Sequence, residues 1–367
     1  MLEKNYSNFK AIHFFSTALV LIALVTISAC GSKPVLPEIE KPVYPPAPNE
    51  ARLYFQQSLL SSADVEQEDN NASFKRILTG QVRTGVGMGK PFGVAVHKGR
   101  VFVSDTLRRM VMVFDKPAAK YFEIGTSTPG ELFKPMGLDV DSNGNLYVCD
   151  ASMKHVLVYN RDGKYLRTIG KPEYFSRPAG LTVNPQGTKV FVVDTGGVKS
   201  DKHRIVVFDA QTGTFLYTIS KRGSAAGELN LPREATIAAD GNLYVVDGGN
   251  FRIQVFTQEG KYLRTFGSIG RRSGQFSRPK GIGSDKRGNI YIVDTAFGNF
   301  QIFNPKGQLL LDVGSRNSQP GPGHFMLPAG LTVDEDGRVY MVDQYFKKVD
   351  IFRPAVITEQ QGYFSLH

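Results

Sequence analysis

Between Lys90 and Phe352 one pattern returns six times, and no other feature of the chain limits its fold so tightly. Each copy reads roughly Pro-x-Gly-aliphatic, a turn, then aliphatic-Tyr/Phe-Val-x-Asp. A short loop follows, and a basic residue leads into an aliphatic-x-aliphatic-aromatic run. The prolines are Pro91, Pro135, Pro178, Pro232, Pro279 and Pro328; the aspartates are Asp105, Asp150, Asp194, Asp247, Asp294 and Asp343. A period of about 44–54 residues holding only short strands is that of a propeller blade. The expected fold class is all-β: a six-bladed β-propeller of four-stranded antiparallel blades.

Blade four shows the unit plainly. Strands A to D are expected at 235–239, 243–247, 252–256 and 262–266, with Asp240-Gly241-Asn242 and Gln258-Glu259-Gly260 as hairpin turns. Gly and Asn suit these turns because they tolerate positive φ. Strand B is almost continuously apolar, as a strand packed on both faces must be. Blade six has no convincing strand D after Phe352. The segment Phe74-Lys75-Arg76-Ile77-Leu78-Thr79-Gly80 resembles strand D of other blades, such as Tyr165–Gly170. Residues 74–80 are therefore expected to complete blade six, closing the ring and removing exposed strand edges.

The N-terminus is of a different character. Lys4 and Lys10 precede an apolar run from about Ala11 to Val25, followed by Ile27-Ser28-Ala29-Cys30-Gly31. A basic start, a short apolar core and small residues before a cut describe an export signal. Ile27–Cys30 resembles the lipobox of bacterial lipoproteins. That resemblance implies lipidation of Cys30 and a membrane tether, and Gly31 implies sorting to the outer membrane of a two-membrane bacterium. The expected organisation is a signal peptide over 1–29, lipidated Cys30 and a Pro-rich tether over 30–72, the propeller over 73–353, and a tail over 354–367. A short helix is expected between Glu50 and Leu60, and no core within the tether. With Cys30 lipidated, Cys149 has no disulfide partner, and it takes a place held by Ser104 or Val in the other repeats, as a small buried filler.

The run Val246-Asp247-Gly248-Gly249-Asn250-Phe251-Arg252-Ile253-Gln254-Val255-Phe256 resembles the NHL repeat, with looser copies in blades one and two. The resemblance implies the six-bladed fold. Members of that class include RNA- and protein-binding modules, and related propellers include metal-dependent lyases and lactonases. No matching set of histidines or carboxylates around the channel is found in this sequence.

Candidate sites are weighed against the repeat itself. The six aspartates are expected to be structural, bonding loop amides and pairing with Arg109, His155, Arg204, Arg252, Asn299 and Lys348 at the start of strand C. The histidines lack paired metal-ligand spacing. Departures between blades are more telling. The residue after the proline is Phe92, Met136, Ala179, Arg233, Lys280 or Ala329, and Glu234 replaces the repeat glycine in blade four. Arg233, Glu234 and Lys280 are expected at the channel mouth, with Lys90, Lys134, Arg177, Arg278, Arg271 and Arg272 on the same face. On a chain of net charge +10, a basic face suits an anionic partner.

The expected function is a monomeric, lipid-tethered binding or scaffold module that presents this face to an envelope protein or anionic glycan. No cofactor is expected. The alternative is a hydrolase or lyase at the channel mouth, with Glu234, Arg233 and Lys280 on the substrate and a divalent ion in the channel. Export across a membrane argues against nucleic acid as the partner.

Overall fold

The protein is represented by a computed structural model describing residues 41–68, 78–81 and 83–364. The signal segment, Cys30, Phe74–Ile77 and the last three residues lie outside the described residues. Among the described residues, no helix is long and apolar enough to cross a membrane.

Five sheets follow one another along the chain, each in the order A-B-C-D from first strand to last, and a sixth joins strands from both ends of the described chain. Blade one is Pro91–His97, Arg100–Asp105, Met110–Asp115 and Lys120–Ile124. Blade two is Pro135–Val140, Leu146–Asp150, His155–Tyr159 and Tyr165–Ile169. Blade three is Pro178–Val183, Lys189–Asp194, Arg204–Asp209 and Phe215–Ile219. Blade four is Ala235–Ile237, Leu243–Asp247, Arg252–Phe256 and Tyr262–Phe266. Blade five is Pro279–Ser284, Ile290–Asp294, Asn299–Phe303 and Leu309–Val313. The molecule is a six-bladed β-propeller. Strand B is buried along its whole length in every blade but the third, where Lys189 at its start is half-buried, whereas strand D of blades two and four alternates between half-buried and exposed positions before a buried last residue. Apolar burial between adjacent blades, at roughly 25 cal/mol per Å², is the main force holding the ring together.

Blade six supplies Pro328–Val333, Val339–Asp343 and Lys348–Pro354 from the end of the chain. Its strand D comes from the N-terminal side, as expected, but from a different segment. Leu53–Leu59 pairs antiparallel with strand C, Leu53 opposite Pro354 and Leu59 opposite Val349. The pair Val43–Tyr44 adds a further strand outside it. Side chains explain the choice: Leu53 and Phe55 pack with Val339 and Phe352, and Leu59 packs with Val342 and Val349. The rings of Phe55 and Phe352 meet edge-on at 5.8 Å. Of the segment expected to close the ring, Leu78 is exposed.

The expected helix after Glu50 is thus a strand, and the expected tether gives up its last part to the propeller, with Val65 also buried in the core. The C-terminal tail likewise packs back. Phe364 is buried against Tyr340, and the fully buried Arg338 donates to the carbonyls of Thr358 and Gln361 and to Gln56 Oε1 in the closing strand.

A basic channel mouth closed by one carboxylate

The connections between strands separate cleanly onto two faces, because each strand crosses the ring from one to the other. The B–C loops, the D–A linkers and the starts of all A strands share one face. The repeat aspartates organise it. Asp105 accepts from the amides of Gly89 and Lys90 in the incoming linker and from Leu107 and Arg108 in its own loop. Asp150, Asp294 and Asp343 make the same four-amide pattern. All six carboxylates are fully buried, so these bonds offset their desolvation.

The expected ion pairs are mostly absent. Among the described residues, Asp194–Arg204 at 3.5 Å and Asp247–Arg252 at 2.8 Å are the two that form. Lys348 instead holds Asp350 at 2.6 Å. Met110, not Arg109, stands opposite Asp105 in blade one. Arg109 occupies the preceding left-handed position, φ +59, which Lys154, Phe251 and Lys347 hold in other blades. Where no arginine reaches the aspartate, amides already occupy its oxygens.

At the axis, the six A strands approach closely. A Cβ on Gly137 would lie 2.7 Å from the Cα of Gly180, and one on Gly93 would lie 2.8 Å from the Met136 carbonyl oxygen. Only glycine fits such a ring. Blade four departs from it: Glu234 stands there, and its carboxylate lies over Gly180 and Gly137, filling space those glycines leave open. Burial pushes this carboxyl far above the ordinary range, and Asp139 nearby adds to the shift. Asp139 accepts from Thr182 Oγ1 at 2.8 Å and from the Val183 amide at 3.0 Å. Burial, against those bonds, pushes its carboxyl up to about 6. Beyond Glu234 the channel widens into a cavity of about 530 Å³ that reaches the opposite face. Sequence reasoning missed Asp139. Superposing the repeats would have found it, since the same place holds Ala95, Thr182, Thr236, Gly283 and Thr332.

On the outer side of Glu234 stand the two basic departures. Lys280 Nζ lies 4.7 Å from the centre of the Phe92 ring and 3.4 Å from Gln344 Oε1. Burial and the charges of Arg233 and Lys90 bring its ammonium down to about 8. Arg233 is shifted down by burial and by Arg177 and Arg278. Among the described residues, Lys90, Arg177, Arg233 and Arg278 form no ion pair. The structure therefore gathers Arg233, Lys280, Lys90, Arg177 and Arg278 at one mouth. Lys134, Arg271 and Arg272 stand exposed farther out in their linkers.

The whole face shares this bias. Its eleven connections between residues 106 and 347 hold sixteen lysines and arginines against five acids. The eleven turns of the opposite face, between residues 98 and 338, hold nine against eight. Long-range attraction of an anion is thus a property of one side of the ring.

His203 is a structural residue here. Fully buried, it bonds Gly197 and accepts from the Leu231 amide, fixing the long loop of blade three. Cys149 is buried in the core, which pushes its thiol well up and leaves it unreactive. Among the described residues, no three of His, Cys, Asp and Glu gather as a metal-binding group.

Comparison with known proteins agrees on architecture. Residues 85–183 match a family of domains described as 6-bladed beta-propeller. Protein brain tumor of Drosophila melanogaster is 29% identical over 133 residues, which are 35% of this chain and 12% of that protein. NHL repeat-containing protein 3 of Mus musculus is 29% identical over 110 residues, 28% of this chain and 30% of that one. The chain thus spans well under two thirds of either relative. Among solved structures, a streptogramin B lyase superposes with a TM-score of 0.54 at 16% identity, covering 73% of this chain and 94% of that one. A protein of unknown function from Bacteroides thetaiotaomicron gives 0.60 at 16%, covering 83% and 76%. A gluconolactonase from Xanthomonas campestris gives 0.55 at 16%, covering 73% and 86%. Likeness at these identities is likeness of fold.

Proposed function

We propose that this propeller is a binding module of the cell envelope, tethered through lipidated Cys30, whose channel mouth receives a carboxylate- or phosphate-bearing group of an envelope protein or glycan. One observation carries the reading. Arg233 and Lys280, with Lys90, Arg177 and Arg278 around them, cluster on the more basic face without an ion-pair partner among the described residues, Lys280 half-buried and the other four exposed to an incoming anion. Phe92 gives a ligand an apolar wall, and Glu234, whose carboxyl is pushed by burial toward its protonated form, lies at the floor.

The test is affinity for a defined anionic glycan, polygalacturonate, against its neutral counterpart. Wild type should prefer the anion, and Arg233→Ala with Lys280→Ala should weaken binding by roughly tenfold for each charge removed. Equal retention by wild type and double variant would end the proposal.

A second reading has one observation in its favour. An amine lowered to about 8 and a carboxyl raised well above its usual range share one mouth, as in sites built for proton transfer. Solved propellers of similar fold include proteins named as a lyase and a gluconolactonase. Turnover of a lactone or glycan that Glu234→Gln abolishes while binding persists would make the mouth an active site.

A further inference from the structure

The basic face carries a second feature that the mouth does not use. Leu107, Phe133, Met153, Val198 and Tyr345 are all exposed there, from 40% for Phe133 to 74% for Val198. Four lie in B–C loops and Phe133 lies in a D–A linker. Each is followed within two positions by a lysine or arginine. The buried repeat aspartates pin the amides of Leu107, Phe133, Met153 and Tyr345 directly, so these residues are held outward on a rigid frame.

The spacing bears on what could cover them. A protein interface concentrates its energy in one contiguous, desolvated cluster. Here every apolar side chain is on a separate loop and has a cation beside it. That arrangement suits the boundary between lipid headgroups and acyl chains, where isolated apolar tips bury while neighbouring cations meet anionic headgroups. The excess of sixteen basic residues over five acids in these connections complements such a surface.

We propose that this face docks onto an anionic lipid bilayer, with the loop-tip side chains entering the headgroup region and the adjacent lysines and arginines binding the headgroups. The proposal uses the loop tips, not Arg233 and Lys280, so it and the glycan reading can fail separately.

The test uses the full chain with Cys30→Ser, which removes acylation at that residue, and with Met153→Cys to carry a polarity-sensitive dye. Vesicles are pure phosphatidylcholine or an equal mixture with phosphatidylglycerol. The dye should shift to the blue on the mixed vesicles, but not when placed through Lys286→Cys on the opposite face. Leu107→Ser with Tyr345→Ser should weaken the interaction roughly tenfold or more. Each of Lys134→Gln and Lys154→Gln should cost about fivefold. No shift at position 153 on anionic vesicles, or an equal shift at position 286, would overturn the proposal. A shift produced by an acidic envelope protein and not by vesicles would overturn it too, and give the face to that protein.

Discussion

Single carboxylates decide much in this molecule, and they do so in two opposite ways. Asp247 sits with the Asn230 amide at 2.6 Å, Arg252 Nε at 2.8 Å and Gln254 Nε2 at 3.0 Å. Its replacement by alanine removes an acceptor from these three donors and from Asn250 Nδ2, 2.9 Å away, and should cost about 3–5 kcal/mol in urea unfolding. Asp139 and Glu234, in contrast, are held by surroundings that favour the proton. A carboxyl whose folded pKa is raised contributes most below its unfolded value, and that contribution is lost as pH rises through the folded value. Stability should therefore fall between about pH 4 and pH 6 on account of Asp139, and Asp139→Asn should flatten the slope in that window. A profile unchanged by the substitution would show that Asp139 does not set the slope in this window. Both residues were open to different degrees in the sequence. Glu234 announced itself by replacing a repeat glycine, whereas Asp139 needed every A strand laid against the others. The role of Arg109 was misread by one position, since a left-handed residue before strand C adds no side-chain signature of its own.

At the scale of strands, what repeats was legible and what occurs once was not. Each internal blade is written in its own apolar runs and turn residues, so its strands are legible in the sequence. The closing strand has no second copy to compare. Its alternation is broken by a register shift between Phe55 and Gln57, and the buried Gln56 looks out of place until its partner Arg338 is seen. The segment at residues 74–80 resembles strand D in sequence, but Leu78 within it is exposed. Two measurements separate the assignments. Phe55→Ala should lower stability by about 3–5 kcal/mol through the cavity it leaves, while Leu78→Ala, at an exposed site, should stay within about 0.5 kcal/mol. Arg338→Met should cost on the order of 3 kcal/mol, because carbonyls of the tail and Gln56 lose a shared buried donor; a melting temperature equal to wild type would mean that the tail holds without it.

Taken whole, the propeller is electrically lopsided, and its binding should follow. Affinity for an anion at the mouth should fall steeply with ionic strength. It should also weaken as pH rises through about 8, where Lys280 loses its proton; Lys280→Arg should remove the pH step and keep the salt dependence. Titration of wild type and variant with the anionic glycan at two salt concentrations reads both effects. The ring's closure has a further consequence, and it concerns time. The ribosome makes Leu53–Leu59 long before its partner Lys348–Pro354, with five whole blades in between. During synthesis the earlier strand has nowhere native to go, and blade six cannot form until Lys348–Pro354 has been made. Joining segments so distant in sequence is slow because loop closure must precede any gain from contact. A chain cut short by a few dozen residues would thus be left with an unclosed ring, two raw strand edges and a strong tendency to pair with its neighbours.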